Sequence, residues 1–168
     1  MHVIYLAGGC FWGVEEYFRF VPGVLETEVG YANSLIPNPS YEQVYTGKTE
    51  AVEACKIIYN QNIISLKEIL VHLFKIIDPT SINKQGGDIG TQYRTGIYYS
   101  NINDKEVIQE FIKDEAKSFN SPIAVEVLPV ENFYKAEEYH QKYLEKNPGG
   151  YCHVPKFMIE ALKMKTNI

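Results

Sequence analysis

The chain has 168 residues, 45% of them hydrophobic and 22% charged, a size and balance that suit one domain (1–168) burying its own core without staples. Its formal net charge of −5 gives it no electrostatic reason to seek phosphate backbones, so nucleic acid is not an expected partner. No apolar stretch has the length of a membrane span and no secretory leader is visible, so a cytoplasmic protein without membrane contact is expected.

Along the chain, His2 to Ala7 alternates like a strand and Gly8-Gly9 breaks it. Phe11, Val14, Tyr17, Phe18 and Val21 recur at helical spacing, so a helix is expected from about Cys10 to Pro22-Gly23. Leu25 to Tyr31 reads as a second strand, Ala32 to Lys48 as a long loop and Glu50 to Tyr59 as a third strand. Ser65 with Glu68 has capping-box spacing and opens an amphipathic helix that ends at Asp78-Pro79. A second long loop, Thr80 to Arg94, is punctuated by Gly86, Gly87 and Gly90. Thr95 to Tyr99 then reads as a strand, Asp104 to Phe119 as a helix, Ile123 to Leu128 as a strand and Lys135 to Lys146 as a last helix. Asn147 to Lys156 reads as irregular, with at most a short helical turn after it.

This order predicts an α+β fold, a ferredoxin-like split βαβ two-layer sandwich with long functional loops and an irregular C-terminal segment. Loops of ~15 residues inside a compact domain are uncommon and usually functional.

Cys10 lies where the first strand turns into the first helix. The helix dipole there favours a thiolate, and the preceding glycines permit unusual backbone angles and close approach of another molecule. A buried cysteine between core aromatics would have the same local sequence. Three cysteines in a chain of this length do not make a disulfide scaffold.

The motifs are more specific than the position. Gly9-Cys10-Phe11-Trp12-Gly13 resembles the signature of the A-type peptide methionine sulfoxide reductases. Asp78-Pro79-Thr80, Asn83-Lys84-Gln85-Gly86 and Asp88-Ile89-Gly90-Thr91-Gln92-Tyr93-Arg94 resemble the family's second block. Phe133 to Gln141 resembles a third, and Asn147-Pro148-Gly149-Gly150-Tyr151-Cys152 the segment that bears the resolving cysteine. The resemblance spans nearly the whole chain, in the family's order.

That resemblance implies reduction of methionine-(S)-sulfoxide, free and protein-bound, as repair after oxidative damage. Cys10 would be the nucleophile, Phe11 and Trp12 the apolar wall around the substrate methyl, and Glu53 the proton donor. Glu53 can donate near neutral pH only if burial raises its pKa, and its neighbours Val52, Ala54 and Ile57 suit burial. Tyr41 and Tyr93 would hydrogen-bond the sulfoxide oxygen, and Asp88 would hold a water or orient neighbouring donors. Cys152 would attack a Cys10 sulfenic acid to give a disulfide, reduced by thioredoxin or a similar external dithiol, with no bound cofactor and no metal. Some family members carry a further cysteine near the C-terminus. This chain has none after Cys152, which implies a single relay step. Nothing in the sequence asks for more than a monomer.

Two other readings stay open on the residues alone. A different thiol enzyme, a peroxidase or a Cys-His hydrolase, could pair Cys10 with His140 or His153. A non-enzymatic module could bind peptides in its Tyr-rich loops. Cys55, two residues after Glu53 and on the same strand face, is expected to pack in the core. Glu137 and His140 have an i, i+3 spacing seen in carboxylate-bridged metal sites, but the motif occurs once where such sites need it twice; His140 is expected as a packed or hydrogen-bonded helix residue.

Overall fold

The computed structural model describes residues 1–166. In chain order the elements are β1 (His2–Ala7), α1 (Phe11–Phe18), β2 (Val24–Ala32), α2 (Tyr41–Tyr45), β3 (Val52–Tyr59) and α3 (Leu66–Ile76). There follow a small hairpin, β4 (Lys84–Gln85) with β5 (Asp88–Ile89), a 3-10 turn (Thr91–Tyr93), β6 (Gly96–Tyr99), α4 (Ile102–Ala116) and β7 (Glu126–Pro129). The chain continues with β8 (Phe133–Lys135), a second 3-10 turn (Glu138–His140), α5 (Tyr143–Lys146) and α6 (Lys156–Thr166). Among the described residues no helix is long and apolar enough to cross a membrane.

Six strands form one sheet in the order β7-β6-β1-β3-β2-β8. Its middle four, β6-β1-β3-β2, are antiparallel throughout, with β3 slotted between β1 and β2. This is the split βαβ arrangement the element order predicts. The register has a consequence for function. Leu6 pairs with Cys55, Ala32 with Val52 and Ala7 with Gly96. The ends of β1 and β2 and the starts of β3 and β6 therefore share one edge of the sheet. Whatever follows β1 and β2, or precedes β3 and β6, is gathered there.

Alternation along β3 sorts its side chains. Val52 and Ala54 join Ala7, Ala32 and Tyr98 in a small cluster on one face. Cys55, Ile57 and Tyr59 face the main core, which is filled by Phe11, Val14 and Phe18 of α1, by Ile69, Leu70 and Leu73 of α3, and by residues of α4 and α6. Glu53 shares the Cys55 face by the two-residue period. Cys55 is fully buried and packs in the core as expected.

Several elements depart from the sequence expectation. The first loop is not wholly irregular. Ser40 caps α2, with its hydroxyl accepting from Gln43 N–H and the Gln43 side chain accepting from Ser40 N–H. The second loop contains the β4–β5 hairpin. Helix α1 stops at Phe18, short of Pro22, and the strand expected at Ile123 begins at Glu126, where it pairs parallel to β6.

The largest departure is 135–146, expected as one helix. It is an edge strand, a 3-10 turn and a single short helix. Phe133 to Lys135 pair with Ala32 to Gly30 of β2. Gln141 Oε1 accepts from Val29 N–H and its Nε2 donates to Val29 O, and Lys142 takes a left-handed φ of 49°. Fixed hydrogen bonds to β2 override the good helix propensity of the Glu, Lys and Gln residues there. His140 accordingly lies in a 3-10 turn and not in an α-helix. Past Pro155, the short turn expected in the tail is an eleven-residue helix, α6.

Candidate active site

Cys10 is the N-cap of α1, at the sheet edge where the long loops converge. Gly9 ahead of it has φ +80°, and a Cβ there would come within 2.9 Å of both Gln85 Cβ and His153 Nε2, so glycine is required on two counts. Cys10 is 8% exposed. Burial first, then the Glu53 carboxyl, raises its thiol well above the usual range, while the Trp12 N–H opposes this. The thiolate expected from the helix dipole alone is thus not the resting form: loss of solvation outweighs the helix end.

Glu53 stands at the start of β3 and is 1% exposed. Its Oε1 accepts from the Phe11 N–H at 3.2 Å, an orphan donor of the first helical turn. Burial raises its pKa to about 8, with the Asp88 charge adding to the rise and the Phe11 hydrogen bond opposing it. A carboxyl that keeps its proton at neutral pH, one residue from a thiol in space, can act as a general acid.

The loops supply phenols. Tyr41 begins α2 and Tyr93 ends the 3-10 turn before β6. Their side chains hydrogen-bond each other, and both are influenced by Glu53 and Cys10. Gly9 N–H donates to Tyr93 O, tying the second loop to the turn before Cys10. Arg94 clamps the same loop: Nε pairs with Glu126 at 2.7 Å, and the other nitrogens donate to Thr91 O and Glu50 O. Asp88, on β5, accepts from Cys10 N–H at 3.4 Å and from the Tyr151 hydroxyl at 3.2 Å. It orients donors on both sides of the thiol.

Phe11 is buried and its ring lies 5.8 Å from that of Tyr31. Trp12 is only partly buried and stacks on Tyr143 at 3.7 Å and 10°. Its Nε1–H donates to His140 Nδ1 at 2.9 Å. His140 therefore carries its own proton on Nε2, and burial lowers its pKa, which keeps the ring neutral. Glu137 Oε1 accepts from the Tyr31 hydroxyl at 2.8 Å and Oε2 from Tyr41 N–H at 3.0 Å. Glu137 and His140, weighed as metal ligands in the sequence, hold Tyr41 and Trp12.

Cys152 is half-buried, and its Sγ lies 3.3 Å from where a Gly13 Cβ would be, one turn along α1 from Cys10. Burial raises its thiol pKa. A groove of about 340 Å³, lined by Glu16, Arg19, Leu144, Pro148 and Ile159 among others, reaches Cys152.

All eight residues singled out in the sequence thus belong to one neighbourhood. Sequence reasoning did not assign Tyr31, Glu137, Tyr143 or Tyr151 to the site. The Phe133–Gln141 and Asn147–Cys152 motifs pointed at the segments, but only the tertiary structure says what those side chains hold.

A buried thiol at a helix head, beside a protonated carboxyl on a ferredoxin-like sheet, describes a thiol-dependent site of the oxidoreductase class. Comparison narrows this. The family model described as peptide methionine sulfoxide reductase matches residues 2–167. A curated relative from Clostridium perfringens named peptide methionine sulfoxide reductase MsrA is 57% identical over 154 residues, 92% of this chain and 98% of its own. Among solved structures, methionine sulfoxide reductase A of Corynebacterium diphtheriae aligns with TM-score 0.87 at 36% identity, covering 90% of this chain and 77% of that one. Mxr1 from Saccharomyces cerevisiae in reduced form aligns with TM-score 0.84 at 39% identity, covering 89% and 87%. Solved in complex with Trx2, the yeast protein aligns with TM-score 0.61 at 27% identity, covering 84% and 83%. The chain belongs to the peptide methionine sulfoxide reductase family.

Proposed function

We propose that this protein reduces methionine-(S)-sulfoxide, in oxidised proteins and free, to methionine, as a cytoplasmic monomer that repairs oxidative damage. The observation that carries this reading is Glu53: a carboxyl 1% exposed, its pKa raised to about 8, bonded to the helix turn that begins at Cys10. Reducing a sulfoxide requires a proton for the departing oxygen, and that carboxyl holds one.

In the first step the Cys10 sulfur attacks the sulfoxide sulfur and Glu53 gives its proton to the oxygen. The proton leaving Cys10 restores Glu53. Tyr41 and Tyr93 donate to the oxygen, while Phe11 and Trp12 enclose the methyl group. The oxygen then passes from the substrate sulfur to Cys10 as the bond between the two sulfurs breaks; methionine leaves with the electron pair and Cys10 is left as a sulfenic acid. Cys152 then attacks Cys10, water leaves, and a Cys10–Cys152 disulfide results. A thioredoxin-type dithiol reduces it, a reading supported by the yeast relative's complex with Trx2. No bound cofactor takes part.

The test is one turnover. Reduced protein, without added reductant, is mixed with each epimer of a methionine sulfoxide peptide. About one methionine per chain from the S epimer alone, with Cys10 and Cys152 then linked in a mass map, is the expected result. No methionine from either epimer overturns the reading.

A further inference from the structure

Cys152 needs to lose a proton to attack, and its thiol is raised by burial. The carboxyl of Glu53 already serves the first step. Beside Cys152 stands His153, whose side chain is only 3% exposed. Its ring is wedged against the head of α1: a Cβ at Gly9 would lie 2.9 Å from Nε2, and one at Gly13 would lie 2.9 Å from Nδ1. Cys152 Sγ reaches that same point at Gly13 from 3.3 Å. The imidazole and the Cys152 sulfur therefore pack side by side on Gly13, and the other end of the ring reaches Gly9, next to Cys10.

Both ring nitrogens of His153 are buried; the Gly8 backbone carbonyl accepts a hydrogen bond from the ring, which leaves one nitrogen without a partner. Asp88 Oδ2 stands 3.9 Å from Nδ1, too far for a hydrogen bond with the neutral ring but close enough to stabilise a charged one. A buried imidazole nitrogen left unpaired costs stability, and one packed beside a thiol can accept its proton. The other charged groups near Cys152 are Glu16, which is engaged by Arg19 at 2.8 Å, and Lys156, a cation unsuited to accept a proton.

We propose that His153 is the proton acceptor of the disulfide-forming step, taking the proton of the Cys152 thiol and passing it to the oxygen that leaves Cys10 as water. The step balances. The Cys152 S–H bond breaks and the S–S bond forms; the Cys10 S–O bond breaks with its electron pair going to oxygen. His153 gains one proton and returns it, and Asp88 faces the transient imidazolium. Burial lowers the ring's pKa, so it is neutral and able to accept near pH 7. This proposal rests on the reading of the function above.

The full reduced chain is mixed with one equivalent of methionine-(S)-sulfoxide peptide, and methionine release and disulfide formation are timed separately by quenching and mass spectrometry. Dimedone captures any lingering sulfenic acid. In His153→Gln the ratio of the disulfide rate to the methionine rate falls roughly a hundredfold, and a dimedone adduct on Cys10 accumulates. His153→Ala behaves likewise and recovers with added imidazole. In the wild type the disulfide rate rises with pH through an ionisation below that of free histidine, absent from both variants. An unchanged ratio in His153→Gln overturns the proposal, as does a slowed His153→Ala that imidazole leaves slow. Absence of methionine in the wild type would instead strike at the function itself.

Discussion

The first step of the proposed reaction is governed by one carboxyl group. The proton on Glu53 is held to about pH 8 because ionising it would place a charge in a site without water. Reductase activity is therefore expected to fall as pH rises through about 8, and Glu53→Gln to lose most of it at every pH; a single-turnover pH profile checks both. The same proton couples to stability. The folded chain binds it more tightly than the unfolded chain, whose value is the ordinary 4.5. Its contribution is complete below that value, fades as pH rises and is lost above about 8. Glu53→Gln carries no such charge, so its stability relative to the wild type should increase with pH across that interval, by a few kcal/mol at most. Urea unfolding at pH 5 and pH 9 measures it, and an equal offset at both would sink the account.

At this scale much of the site was legible. Cys10, Phe11 and Trp12 stand in a contiguous motif, and the spacing along β3 suggested that Glu53 and Cys55 share a face. The state of the thiol was not. A helix head argues for a thiolate, and only the degree of burial, which depends on residues far along the chain, reverses the sign.

Elements bring the phenols to the thiol. Tyr41 is held by the five-residue helix α2, too short to persist without its capping box. Ser40→Ala removes one half of that box and should cost roughly 1 kcal/mol locally. The expected outcome is a several-fold rise in KM with a smaller change in kcat, since Tyr41 still finds its place when substrate is bound. Glu137→Ala, which frees both Tyr31 hydroxyl and Tyr41 N–H, should be the more severe of the two; comparison of kcat/KM decides it.

Elements also mark where sequence reasoning failed. The capping box of α3, Ser65 with Glu68, is legible in the sequence because an amphipathic run follows it. The equivalent pair Ser40 and Gln43 precedes no such run and went unread. The segment 135–146 is rich in helix formers, yet Gln141 and Glu137 are each fixed by two hydrogen bonds to distant residues. Local propensity of a few tenths of a kcal/mol per residue does not compete with several tertiary hydrogen bonds.

For the whole molecule, the antiparallel register of β6-β1-β3-β2 collects two chain reversals, a helix head and a strand start at one edge. The βαβ order was visible in the sequence, and that convergence follows from it. The flanking strand β7 was expected too, three residues early, but β8 was not, because a strand of three residues at an edge carries little periodicity. The C-terminal segment is built differently from the sheet. A Cβ at Gly149 would meet nothing within 4 Å, and the Cys152 thiol donates to Val154 O at 3.4 Å. Forming the proposed Cys10–Cys152 disulfide would remove that donor. Amides of 147–156 are expected to exchange faster in the oxidised protein, while those of β1 and β3 stay protected. Exchange mass spectrometry on both redox forms checks this; uniform loosening would contradict it.

The burial that keeps Cys10 protonated has an outcome beyond its own reaction. Peroxides and alkylating agents attack thiolates far faster than thiols. At rest this cysteine is a thiol raised by burial and only 8% exposed, and in the proposed reaction the sulfoxide is the species placed to engage it. A protein whose work begins when oxidants are abundant is thereby shielded from being consumed by them.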